Sequence, residues 1–165
     1  MQGQEVTITD MMYCRDRRGQ IQNEFIKKYQ KPVISFCMNI PGPIKTNPLI
    51  QKGFESGKAT LLDTLAKAKF EILESRIFHD VTGDEMLLCV SAPAQEIKDL
   101  TQEIEESHPY GRLFDMDVID TDGQKLSRPS YRKCLICDCQ AQECARSRKH
   151  SISEMQDKIE EILKK

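Results

Sequence analysis

Near the start of the chain, Met11, Cys14, Ile21, Phe25 and Tyr29 recur at helical spacing and fall near one face. They predict a helix from about Thr9 to Lys31, capped by Thr9 or Asp10, with a break allowed at Gly19 in the basic run RDRRGQ. PVISFCM, residues 32–38, reads as a short buried strand with Pro32 at its tolerated first position. The loop NIPGPIKTNP carries three prolines, and Asn47-Pro48 is a strong helix start. That helix is expected to reach about Lys69, burying Leu49, Phe54, Leu61, Leu62 and Leu65, with Gly53 and Gly57 allowing close packing or a bend. FEILESRIF (70–78) and EMLLCV (85–90) flank a Thr-Gly-Asp turn and predict a hairpin. Pro93 opens a further helix on Ile97, Leu100 and Ile104, which His108-Pro109 ends. GRLFDMDVID (111–120) alternates with period two, as a strand does.

The central order is therefore β-α-β-β-α-β, and the fold class expected is α+β with a ferredoxin-like core at about 32–120. Both helices would cover one sheet face and leave the other open. On the last strand Phe114, Met116 and Val118 would face the helices, while Leu113, Asp115, Asp117 and Ile119 would face the open side. Residues two apart on a strand point the same way, roughly 7 Å apart, so Asp115 and Asp117 could share one Mg²⁺. A solvated strand face accounts for the same spacing. The loop at Lys45, with Gly42 allowing close backbone approach, could receive an anion ahead of the Asn47 helix. A rigid connector with a solvated lysine explains it equally well.

Residues 121–165 differ in texture: basic, rich in cysteine, and ending in a helix where Ser151 and Glu154 fit a capping box ahead of Ile152, Met155, Ile159 and Leu163. Within CLICDCQAQECARSRKH, Cys134-x2-Cys137, Cys144 and His150 could complete a tetrahedral structural Zn²⁺ site, with Cys139 competing for a place. Arg146 and Arg148, and earlier Arg15 and Arg18, are either solvated charge or phosphate ligands, for which the guanidinium fork is suited.

Composition narrows the function classes. The chain has 165 residues and formal charge −2, enough for one domain and without a general attraction to nucleic acid or anionic membrane. No apolar run reaches the ~18–20 residues of a membrane span, and the first residues lack the regions of a secretory signal, so a cytoplasmic setting is expected. Of seven cysteines, Cys14, Cys37 and Cys89 are scattered among apolar neighbours and read as small hydrophobes in a reducing compartment.

Several stretches together resemble one family: RDRRGQIQ (15–22), MNIPGPIKTNPLI (38–50), HPYGRLFDMDVID (108–120), LSR (126–128) and RKCLICDCQAQECARSRKHS (132–151). In this order, and over nearly the whole chain, they are similar to the apo-citrate lyase phosphoribosyl-dephospho-CoA transferases, also called holo-citrate lyase synthases. The chain departs from that pattern in having only PSY (129–131) between the Ser-Arg pair and the Arg-x-Cys motif, and Arg15-Asp16 where Arg-Glu is common. The resemblance implies a single transferase domain over 1–165 and the family's reaction. The donor would be 2′-(5″-triphosphoribosyl)-3′-dephospho-CoA, the acceptor a serine of the citrate lyase acyl carrier (gamma) subunit, and the by-product diphosphate. Beside that reaction, Asp115 and Asp117 are the expected catalytic Mg²⁺ ligands. Lys45, Arg112, Arg128, Arg146 and Arg148 are the expected phosphate ligands, and Arg15 and Arg18 belong to the first basic motif.

Two non-catalytic readings compete. The same strand order serves modules that stack single-stranded RNA bases on exposed aromatics, but here paired aspartates on the open face and the overall charge disfavour nucleic acid. A zinc-stabilised adaptor acting on the carrier subunit is the other.

Overall fold

Thr7 starts the first helix. Its hydroxyl accepts the Asp10 N–H at 3.1 Å, and the Asp10 carboxylate accepts the Thr7 N–H at 2.9 Å, a reciprocal capping box. In the computed structural model, which describes residues 1–165, helix α1 then runs Ile8–Tyr29 without interruption. The cap lies earlier than the expected Thr9 or Asp10, because Asp10 serves as the reciprocal partner rather than the cap. No break occurs at Gly19. A glycine there costs about 1 kcal/mol, and burial of Ile21, Phe25 and Ile26 on the next turns outweighs it.

The remaining elements are β1 (Val33–Met38), α2 (Pro48–Lys67), β2 (Glu71–Asp80), β3 (Gly83–Ser91), α3 (Ala94–Ser107), a 3-10 turn (Gly111–Leu113), β4 (Phe114–Ile119), α4 (Ala141–Ser147) and α5 (Ile152–Leu163). The sheet order is β2-β3-β1-β4 and every neighbouring pair is antiparallel. Each βαβ crossing thus joins two parallel strands with one antiparallel strand between them. As expected, Asn47 caps α2 through its side-chain oxygen (2.9 Å from the Ile50 N–H), with Pro48 at the first helical position.

Helices α2 and α3 pack on one sheet face. Phe36, Phe54 and Phe114 meet there with ring centroids 4.9 and 5.3 Å apart, the first pair stacked and the second edge-on. Gly57 makes this approach possible: a Cβ at that position would stand 2.7 Å from the Cζ atoms of both Phe36 and Phe114. Leu62, expected inside, is instead 36% exposed on the outer side of α2. Phe114, Met116 and Val118 all face this core, as the alternation predicts.

The opposite face is not open, contrary to expectation. Helix α1 lies across it, and Ile21, Phe25 and Ile26 close a second core with Val33, Leu87, Cys89 and Ile119. An apolar stripe that long must bury itself, and this sheet face, centred on β1 and β3, offers a matching apolar surface. What α1 leaves accessible is the β4 margin, where Asp115 and Asp117 sit half-buried.

Leu113 is also placed differently. It belongs to the 3-10 turn before β4 and is buried with Ile40, Ile50, Ile159, Ile162 and Leu163, so α5 docks at the end of the sheet. Ser151 caps α5 by accepting the Glu154 N–H at 3.1 Å. No helix is long and apolar enough to cross a membrane.

Candidate active site

Strand β4 is the outer strand, and its free margin is closed by side chains and irregular backbone. Arg132 Nη1 donates to the Phe114 carbonyl (2.8 Å), the Glu105 carboxylate accepts the Met116 N–H (3.1 Å), and the Leu126 N–H donates to the Val118 carbonyl (2.9 Å). The segment after β4 is thereby laid along the strand that carries the aspartates. The cleft between them has a volume of 580 Å³ and is lined by Asp115, Asp117, Lys125, Arg128 and Arg132 among others.

Asp115 and Asp117 share one face, as alternation requires, opposite Cys37 and Ser35 of β1 in the ladder. Burial, and then the Asp117 charge beside it, pushes the Asp115 carboxyl up to about 6. Lys125 Nζ lies 3.5 Å from Asp117 and offsets part of that crowding. Two carboxylates held this close, one of them reluctant to ionise, form a place that a divalent cation would relieve. Burial and Asp115 push the Cys37 thiol up to about 12 despite Arg18 acting the other way, so it is an inert thiol beside the pair.

Arg128 donates to Glu105 (3.0 Å) and to Glu106 (3.3 Å), while its Nε is buried without a partner. Glu105 is the organiser here. It is buried, accepts from the strand, and faces both Arg128 and Arg132, the latter at 3.9 Å. Burial raises its carboxyl, although Arg132, the Met116 N–H and Arg128 act the other way. The reading of the sequence omitted Glu105, Arg132 and Lys125. A signal for Glu105 was present: Ile97, Thr101 and Glu105 repeat every fourth residue, so this acid lies on the buried stripe of α3. Arg132 opens the stretch RKCLICDC, whose spacing marks its cysteines and not its arginine.

The other expected phosphate ligands do not all gather at this cleft. Lys45 donates to the Ile40 carbonyl at 2.6 Å and lines a separate depression with Arg15, Gly42 and Pro43; burial and Arg15 lower its pKa. Arg18 is committed to structure. Its Nε donates to the buried Glu85 at 2.6 Å, where Arg17 (3.3 Å) and the Cys14 thiol (2.8 Å) also converge, fastening α1 to β3. Arg112 gives two donors to the Lys133 carbonyl, and burial together with Arg132 brings it down to about 10. Arg146 is exposed on α4, and Arg148 ends that helix in the left-handed conformation.

Beside the cleft, Cys134, Cys137, Cys144 and His150 bring their ligand atoms within 4.8 Å of one another. Cys137 Sγ is 3.5 Å from Cys144 Sγ and 3.4 Å from His150 Nε2. A tetrahedral zinc site with Zn–S near 2.3 Å has edges of about 3.8 Å, so the set fits a metal with little movement. Hydrogen bonding from His150 pulls the Cys137 thiol down to about 6, while burial pushes Cys144 up to about 12. Cys139 is exposed and outside the set; its carbonyl accepts the Cys134 N–H at 2.7 Å, turning the knuckle instead of binding through sulfur. The short helix α4, absent from the expected elements, carries Cys144 into the cluster.

Paired carboxylates facing arginines in a polar cleft suit a phosphate-bearing ligand, and the class these features point to is a transferase of phosphate-linked groups. The chain belongs to the apo-citrate lyase phosphoribosyl-dephospho-CoA transferase family, whose sequence model matches residues 6–165. Proteins of that name from Shigella boydii serotype 18, Escherichia coli O157:H7 and Shigella sonnei are each 35% identical to it over 162 residues, covering 96% of this chain and 88% of theirs.

Proposed function

We propose that this protein transfers the phosphoribosyl-dephospho-CoA group from 2′-(5″-triphosphoribosyl)-3′-dephospho-CoA to a serine of the citrate lyase acyl carrier subunit, releasing diphosphate. The observation that carries this reading is the meeting of Asp115 and Asp117 with Arg128 and Arg132 in one cleft of a family member. The chain acts as a single domain on a ferredoxin-like core, and the chemistry is of the nucleotidyl-transfer type. The serine hydroxyl oxygen attacks the phosphorus bonded to the ribose oxygen, the bond to the diphosphate breaks, and the hydroxyl proton is released. Asp115 and Asp117 hold Mg²⁺, which when bound neutralises charge on the triphosphate. Arg128 and Arg132, which line the same cleft, offset the charge of the triphosphate and of the departing diphosphate. Cys134, Cys137, Cys144 and His150 hold a structural Zn²⁺. None of the seven cysteines is paired in a disulfide, which fits a reducing, cytoplasmic setting.

Mass spectrometry of the carrier tests the reading. Purified protein, Mg²⁺, donor and apo-carrier are expected to add the prosthetic-group mass to the carrier serine. No mass gain at saturating donor refutes the assignment.

A further inference from the structure

A second pocket, 630 Å³ in volume, lies between the Cys/His cluster, the start of α5 and the loop after β1. It is mostly apolar, and its size is that of a site for an organic ligand with a few orienting polar groups. Its polar groups are unusual for such a wall. The Arg148 side chain makes no hydrogen bond or ion pair, its backbone N–H alone donating to the Cys144 carbonyl, and Arg112 spends Nε and Nη2 on the Lys133 carbonyl, leaving Nη1 without a protein partner.

This pocket adjoins the aspartate cleft, because Asn39 and Ala141 line both. Asn39 is fixed there by its backbone, whose N–H donates to the Leu113 carbonyl at 2.7 Å. Ile152, which lines this pocket, packs on the loop after β1: a Cβ at Gly42 would stand 2.9 Å from its Cγ2. The two spaces therefore share a wall at Asn39 and Ala141. One space is polar, with carboxylates and two arginines; the other is apolar, with two further arginines.

A donor carrying a triphosphoribosyl group on dephospho-CoA has the same asymmetry. One end is a triphosphate. The other is an adenine and a pantetheine arm joined by a second, separate diphosphate. We infer that the pocket bounded by Pro41, Leu135, Ile152, Met155, Arg112 and Arg148 receives the dephospho-CoA end of the donor while its triphosphate occupies the aspartate cleft. Arg112 and Arg148 meet the internal diphosphate, and the apolar wall covers the uncharged part. Cys134, Cys144 and His150 also line this pocket, so the cluster shapes a substrate-binding wall as well as a turn. The assignment rests on the transferase reading for the identity of the ligand.

Dephospho-CoA itself, without the triphosphoribosyl group, is the probe. Isothermal calorimetry on the zinc-loaded protein is expected to show binding that R148A and I152E each weaken about 10-fold or more. Ile152 is 56% exposed, so the glutamate is tolerated by the fold, and unchanged circular dichroism and melting temperature check this. D117N is expected to bind dephospho-CoA as the wild type does, and R148A to raise the donor KM with little change in kcat. Absence of dephospho-CoA binding, or binding indifferent to both R148A and I152E, overturns the assignment. So does a rise in KM for the carrier alone, which would make this pocket the carrier's docking site. If dephospho-CoA binds as described and no transfer is ever seen, the transferase reading fails and the pocket assignment stands. If transfer is seen and the variants change nothing, the reverse holds.

Discussion

Glu105 accepts the backbone N–H of Met116, the residue between Asp115 and Asp117, at 3.1 Å. One carboxylate on α3 thus sets the height of the strand that bears the aspartate pair, and its other oxygen takes Arg128 at 3.0 Å. The anionic and cationic walls of the cleft are tied to a single buried side chain.

Glu105→Leu should accordingly be among the costliest single changes here. It leaves the Met116 N–H unpaired and takes the buried carboxylate away from two half-buried guanidinium groups, a loss of about 3 kcal/mol or more. Urea denaturation should show it, and any protein that remains folded should have a raised donor KM because Arg128 and Arg132 are no longer aimed.

Asp115 makes stability depend on pH in a stated direction. Its carboxyl is raised from the ordinary 3.8 to about 6, so the folded chain holds this proton more tightly than the unfolded chain. The stabilisation is fully present below pH 3.8 and is lost as pH rises through about 6. Metal-free D115N should therefore be more stable than wild type at pH 7, by on the order of 1–2 kcal/mol, and the gap should shrink to roughly RT or less towards pH 4. Chemical denaturation at the two pH values measures this. Added Mg²⁺ should stabilise the wild type and not D115N.

Gly57→Val tests the aromatic core. The Cβ alone would come within 2.7 Å of two phenylalanine rings, and both rings are fully buried with nowhere to go. A destabilisation of about 1–3 kcal/mol is expected, read as a lower melting temperature.

Removing metal should act locally. The cluster residues span 134–150, apart from the sheet in sequence, so chelation should raise amide hydrogen exchange across 132–151 while leaving β1 and β3 protected. Elemental analysis should return about one zinc per chain before chelation.

Lys45 and Arg128 should separate in kinetics. Arg128 lines the aspartate cleft and Lys45 does not. Arg128→Lys should lower kcat/KM about 10-fold or more, since an ammonium cannot replace the fork. Lys45→Ala should change it by less than about 3-fold.

Most of the fold could be read from the chain because its signals are local. Asn47-Pro48, the hairpin and the alternation around Asp115 each act within a few residues. The second sheet face was misjudged because periodicity shows that α1 has an apolar stripe without showing where it docks. Only the sheet, with Val33, Leu87 and Cys89 turned the same way, decides that. The aspartates and the Cys/His set were legible by spacing. Glu105 and Arg132 escaped because their roles depend on contacts across 11 and 18 residues of chain, made to backbone atoms that carry no sequence signature.

The margin of β4 has a last consequence. Its carboxylates ride on a strand gripped on both sides, by β1 and by the side chains of Glu105 and Arg132. The opposing arginines come from a stretch without strands that runs straight into the Cys/His cluster. With zinc in the proposed site, one jaw of the cleft is set by folding alone, and the other by folding plus a metal. A cell short of zinc would make a chain with a finished core and a slack upper jaw, so that metal supply, rather than protein abundance, would ration its working copies.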